Sequence, residues 1–207
     1  MALSKTNLII LACIAVFALL WLPGTDSYYE YLAFSSDNLV QGRVWTLVTA
    51  LFVHADIVHL AGNMLFLYAF GNALEKEVGA GKTMLGFFAG GILSFLLGIF
   101  AYPPDVYLVG ASAAIFTLTA AVLLVKPLKF SFIFLMPLGL VALIYTIYNV
   151  IAIYTGVEGN VAYASHIIGF AVGIPFGAVW TKNLKRNSLI VLGLLIFYIF
   201  IAAFVVP

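Results

Sequence analysis

Charge is what this chain has least of. Only 8% of its 207 residues are Asp, Glu, Lys or Arg, 65% are apolar, and nine basic against eight acidic side chains leave a formal net charge of +1. Soluble domains carry about a quarter charged residues. So few charges cannot cover a water-facing surface, so an ordinary soluble domain is excluded. The near-zero balance excludes a nucleic-acid binder driven by net charge, and the apolar content excludes disorder. Cysteine is nearly absent too. Cys13 stands alone, which rules out an intrachain disulfide and a Cys-rich metal site, and its apolar surroundings read as those of a buried thiol.

What is present is long apolar runs. A helix needs about 20 apolar residues to cross a hydrocarbon core of roughly 30 Å. Seven runs qualify, some of them short: Leu8–Leu22, His59–Leu74, Met84–Tyr102, Ala111–Val125, Phe130–Tyr154, Val161–Trp180 and Leu189–Val206. The expected fold class is an all-α polytopic membrane protein, one membrane domain over 1–207. The first run ends Trp-Leu-Pro-Gly with no small-x-small cleavage site, so a retained anchor is expected rather than a signal peptide. With the N-terminus and every second loop on one side, that side holds Lys5, Lys76, Lys82, Lys126, Lys129, Lys182, Lys185 and Arg186. The other holds only Arg43. Positive residues mark the cytoplasmic side, so the expected topology is N-in/C-out.

The first outer connection, 23–58, is long and carries Tyr28, Tyr29, Tyr31, Phe34, Trp45 and Phe52. Such aromatics suit a segment lying in the outer interface, the alternative being a small folded loop. Small residues recur every four positions at Gly86, Gly90, Ser94 and Gly98, and again at Gly169, Gly173 and Gly177. Faces of this kind let membrane helices approach closely, so a tight bundle is expected.

Inside the runs the absence of charge excludes specific chemistry. Two membrane carboxylates sharing acid and base roles do not exist here, and neither does His-Glu-x-x-His. Proton-coupled transport through buried carboxylates is disfavoured for the same reason. His59, Asn63, Ser112 and His166 stand out instead, with His54 just outside the second run. Depth can be measured upward from the cytoplasmic charges at about 1.5 Å per residue. Ser112 lies ~21 Å above Lys126, His166 ~24 Å above Lys182, and His59 ~24 Å above Glu75. Three helices thus bring a serine and two histidines to one level, several ångströms below the outer surface.

At that level an imidazole can remove the proton of a serine hydroxyl, which makes the oxygen a nucleophile. His59 and Asn63, four apart, share a helical face and can both donate to a developing oxyanion. Gly110 and the alanines around Ser112 leave room for a peptide backbone. Each residue also has a structural reading. A membrane serine back-bonds to its own helix, a histidine makes one interhelical hydrogen bond, and an asparagine acts as packing glue.

Three stretches resemble the rhomboid family of intramembrane serine proteases. They are His59-x-x-x-Asn63 within HLAGNMLFLYAFGNALE, Gly110-Ala-Ser112-Ala, and His166-Ile-Ile-Gly169-Phe-Ala-Val-Gly173. They fall in the family's order, over about Arg43 to Trp180. The resemblance implies a six-helix rhomboid-like bundle plus one extra C-terminal transmembrane helix. It implies a Ser-His dyad without an Asp: Ser112 as nucleophile, His166 as base and later acid. His59, Asn63 and the Ser112 backbone N–H would stabilise the oxyanion. Gly110, Phe116, Gly169, Gly173 and Glu75 would be structural, with Phe116 stacking under the imidazole where many members have Tyr. The fifth span and the loop near Glu158 would gate substrate entry. No cofactor and no metal is implied.

The chain departs from the family pattern at Trp45-Thr46, where Trp-Arg is common. Arg43 stands two residues earlier, and Ser165 replaces an Ala before the histidine. The expected function is hydrolysis of peptide bonds in or near the membrane segments of single-span substrates, near the outer side of a prokaryotic plasma membrane. The expected partners are those substrates and the lipid bilayer, with no nucleic acid. One alternative is a non-catalytic rhomboid-like protein that binds membrane helices. Another is a metal or haem site on His54, His59 and His166, in which Asn63 and Ser112 have no task.

Overall fold

Helix boundaries in this chain follow its few capping and helix-breaking residues. A computed structural model describes residues 3–22, 24–157 and 161–205. Ser4 caps α1 (Lys5–Leu20) by accepting from the Asn7 N–H. The connection that follows contains three short helices: α2 (Asp26–Leu32), α3 (Ser36–Val40) and α4 (Thr46–Thr49). Asp56 caps α5 (Ile57–Phe66) by accepting from the His59 N–H at 2.8 Å. A π-helical turn over Leu67–Gly71 carries the helix into α6 (Asn72–Val78). After Gly79 come α7 (Ala80–Gly98) and α8 (Ser112–Val125). A two-stranded hairpin, β1 (Phe130–Ser131) with β2 (Met136–Pro137), precedes α9 (Leu138–Thr155). The chain continues as α10 (Tyr163–Trp180) and α11 (Leu184–Val205).

Among the described residues, five helical stretches are long and apolar enough to cross a membrane: Ile57–Val78, Ala80–Gly98, Leu138–Thr155, Tyr163–Trp180 and Leu184–Phe204. The helices Lys5–Leu20 and Ser112–Val125 are apolar but shorter. The protein is a mostly helical, multi-pass membrane protein.

The apolar run Phe130–Tyr154 is not one helix. Its first eight residues form the hairpin, because Pro137 lacks an N–H and disfavours helical backbone at Met136. Pro137 itself has extended backbone, with ψ 137°, and the helix starts at Leu138. Glu158, in the connection expected to gate entry, lies outside the described residues.

The middle of the bundle is α8. Residues Ala113–Leu123 are all buried, so the helix is enclosed on every side. Both small-residue stripes converge on it. A Cβ on Gly169 would strike the Ala113 carbonyl, one on Gly173 the Thr117 carbonyl, and one on Gly177 would lie 2.9 Å from Ala121 Cα. Gly90 of α7 admits the Thr117 side chain. Thr117 then joins the helices with a 2.8 Å hydrogen bond from its hydroxyl to the Gly169 carbonyl. At the far end, Asn187 of α11 donates to the carbonyls of Leu124 and Val125, which close α8 without helical partners of their own. At 14 residues α8 is about 21 Å long, short of the roughly 30 Å hydrocarbon core.

Two polar contacts hold the periphery. Glu75 accepts from the Lys5 N–H at 2.9 Å, the Thr6 N–H at 2.8 Å and the Thr6 hydroxyl at 2.7 Å, a carboxylate set on the N-terminus of α1. Arg43 donates to Asn38 Oδ1 at 3.0 Å and lies over the Tyr31 ring. The first connection is therefore tied together by its own arginine, and Phe34, Ala50, Leu51 and Val53 from it are buried.

Candidate active site

Ser112 opens α8, and Gly110 shapes the turn before it. Gly110 has φ +104°, a backbone that side chains rarely adopt, and its N–H donates to the Ala50 carbonyl at 2.8 Å. A Cβ there would lie 2.7 Å from the His59 ring and 3.2 Å from Asn63 Nδ2. The His59–Asn63 face of α5 is thus pressed against the turn that delivers the serine. Ser112 is partly exposed while its neighbours are buried. As the first residue of a helix, its backbone N–H has no intrahelical acceptor, and the positive end of the helix dipole lies there.

Asn63 is buried, and its Nδ2 has no hydrogen-bond partner among the described residues. A buried amide donor without an acceptor is costly, and a substrate carbonyl would satisfy it. His59 is half-buried, held edge-on to His54 with ring centroids 5.1 Å apart. His54 Nδ1–H donates to the Phe52 carbonyl. Burial, with a smaller contribution from His59, pushes the His54 imidazole down to about 4, so this ring is neutral near pH 7.

His166 lies in the first turn of α10 and is 96% buried by area, with 4% exposure. Phe116, one turn beyond Ser112, stacks on its imidazole with centroids 4.6 Å apart and planes 10° from parallel. The Ala113–Gly169 crossing falls one residue after Ser112 and three after His166, which fixes the two helix starts together. Ser112 and His166 share no hydrogen bond among the described residues. The bonded partner of the imidazole is Asn149 of α9, at 2.7 Å from Nδ1. Catalytic hydrogen bonds in substrate-free enzymes are commonly long and tighten on binding.

Two contacts escaped the sequence reading. Asn149 was available as a lone asparagine in the fifth apolar run. Tyr102, whose hydroxyl accepts from the Ser165 N–H at 3.1 Å, gave no signal in the sequence. Ser165 Oγ is buried without a partner among the described residues. Among those residues no group of three His, Cys, Asp or Glu side chains is placed to hold a metal ion.

Known proteins place this architecture. The chain is 26% identical over 185 residues to the rhomboid protease GlpG of Salmonella paratyphi A, covering 88% of this chain and 65% of that protein. It is 30% identical over 199 residues to the rhomboid protease GluP of Bacillus subtilis, covering 90% of this chain and 38% of that protein. The chain thus spans just under two thirds of the length of the GlpG relative and less of GluP. Its residues 41–183 match the rhomboid domain, which is most of the sequence and contains every candidate site residue. The chain belongs to the rhomboid family.

Proposed function

We propose that this protein is an intramembrane serine endopeptidase acting on single-span membrane proteins near the outer side of the bilayer. The observation that carries the reading is the interlock of α8 with α10 at Ala113 and Gly169, beside the serine and histidine that begin those helices. The relatives named as rhomboid proteases support it, as does the stacking of Phe116 on His166.

In this mechanism Ser112 Oγ attacks the carbonyl carbon of the scissile bond while its proton passes to His166 Nε2. The oxyanion that forms takes hydrogen bonds from the Ser112 backbone N–H, His59 and Asn63. His166 returns the proton to the leaving nitrogen, the C–N bond breaks, and an ester remains on Ser112. A water molecule, deprotonated by the same imidazole, attacks that ester; the C–Oγ bond breaks, the imidazolium returns the proton to Ser112 Oγ, and the second product leaves. No step calls for a cofactor.

In the same reading α1, the α5–α6 unit, α7, α8, α9 and α10 form a six-helix core, and α11 is a seventh span. The N-terminus is cytoplasmic, the C-terminus outside, and the 23–58 segment lies in the outer interface. Exposed Tyr28, Tyr31, Val40, Val44 and Trp45 suit that position. The bacterial relatives favour a prokaryotic plasma membrane.

The test is cleavage of a single-span substrate in proteoliposomes. Ser112→Ala and His166→Ala are expected to abolish it, whereas full activity in either variant would overturn the assignment of that residue.

A further inference from the structure

We propose that Asn149 is a positioning residue for His166, which turns the serine–histidine pair into a three-membered Ser112–His166–Asn149 arrangement. The inference rests on the reading of His166 as the base. Its evidence is a relay of two hydrogen bonds with only one consistent assignment.

Asn149 is buried, and its amide touches two groups. Nδ2 lies 2.7 Å from the Tyr145 carbonyl oxygen, and Oδ1 lies 2.7 Å from His166 Nδ1. A carbonyl can only accept, so the amide nitrogen must face Tyr145. The reversed orientation would set two oxygens against each other at that distance with no hydrogen between them. With Oδ1 thereby turned to the imidazole, and Oδ1 also only an acceptor, Nδ1 must carry the proton. The neutral ring then has its lone pair on Nε2, the nitrogen that must take the serine proton. The opposite tautomer would face one lone pair with another at 2.7 Å.

The relay also holds the ring in place. Phe116 covers one imidazole face and fixes its plane, while Asn149 fixes its rotation within that plane. After proton transfer the Nδ1–H···Oδ1 bond persists and favours the imidazolium. The titratable groups facing the ring are His59 from α5, Tyr163 within its own helix, and Tyr145 and Tyr148 of α9 through Phe116 and Tyr163. No carboxylate among the described residues touches it. A neutral amide is therefore the group that sets the tautomer.

The direct test is nitrogen-15 NMR of protein labelled at its three histidines, with His166→Ala used to assign the signal. At a pH where the ring is neutral, His166 is expected in the Nδ1–H form. A dominant Nε2–H signal from the unmodified protein would overturn the proposal, whether or not any variant folds. Asn149→Leu, close in size but without an acceptor, is expected to lower kcat about 10–100-fold with KM unchanged, by analogy with the loss when the orienting partners of metal-bound histidines are removed. Asn149→Asp restores an acceptor and is expected to recover most of that loss. Its added charge should also move the acidic limb of kcat/KM to higher pH. Unchanged kcat and pH profile in both variants would contradict the proposal. Failure of the base reading looks different: His166→Ala would then keep its activity while the tautomer of the unmodified protein stayed as expected.

Discussion

The α8–α10 pair and α9 meet at the same imidazole but are attached to the molecule in opposite ways. Along the α8–α10 crossing Gly169, Gly173 and Gly177 meet Ala113, Thr117, Ala120 and Ala121, and the backbones approach until a single added carbon would strike a carbonyl. The first half of α9 packs closely through Leu138, Gly139, Val141 and Ala142. Its second half does not. There Tyr148, Val150, Ile151, Ile153 and Tyr154 are exposed, and only Asn149 and Ala152 are buried. One interface is rigid because it has no spare volume. The other is held at the site by a hydrogen bond. The difference places Ser112 and His166 in a fixed frame, and leaves the orientation of the His166 ring to the looser neighbour.

Three substitutions grade this comparison. Gly169→Val drives a branched side chain into the Ala113 carbonyl, with nothing flexible to give way. A loss of about 3 kcal/mol or more is expected, with activity falling alongside it, read by thermal denaturation in detergent and by cleavage. Retained stability would mean that the helices can separate, and the rigid-frame account would fail. Thr117→Val keeps the volume but removes the hydroxyl bonded to the Gly169 carbonyl. About 1 kcal/mol is expected in the same measurement, typical of one hydrogen bond between membrane helices. Tyr154→Ala, on the second half of α9 at 90% exposure, should change stability by less than about 0.5 kcal/mol. A large loss there would show α9 to be packed far more firmly than its exposed face indicates.

Much of this arrangement was legible in the sequence because it follows from simple periodicities. The stripes at Gly86–Gly98 and Gly169–Gly177 pointed to close packing, although not to their shared partner, since spacing within one helix does not name the helix opposite. Ser112 and His166 could be placed at one level because helical rise converts residue counts to depth. Asn63 stands out because His59 lies four residues before it on the same helical face, whereas Asn149 has no such neighbour in its own run and looks like packing. Its role depends on Tyr145 and His166 lying either side of it, which is tertiary information. The hairpin at Phe130–Pro137 was hidden by its own hydrophobicity, since Phe132, Ile133 and Leu135 read as membrane residues while Pro137 alone marked the break. Glu75 was placed by resemblance as structural, but its grip on the first turn of α1 spans about 70 residues of sequence and leaves no local trace.

The central claim is that Ser112 is a nucleophile activated by His166. Labelling by a fluorophosphonate probe in native-like membranes tests it most directly, because reaction requires the hydroxyl, the base and the oxyanion donors together. The account predicts a covalent adduct on the peptide containing Ser112, absent in Ser112→Ala and lost or strongly slowed in His166→Ala. Absence of any adduct on the unmodified protein, or labelling at an undiminished rate without the imidazole, would contradict it.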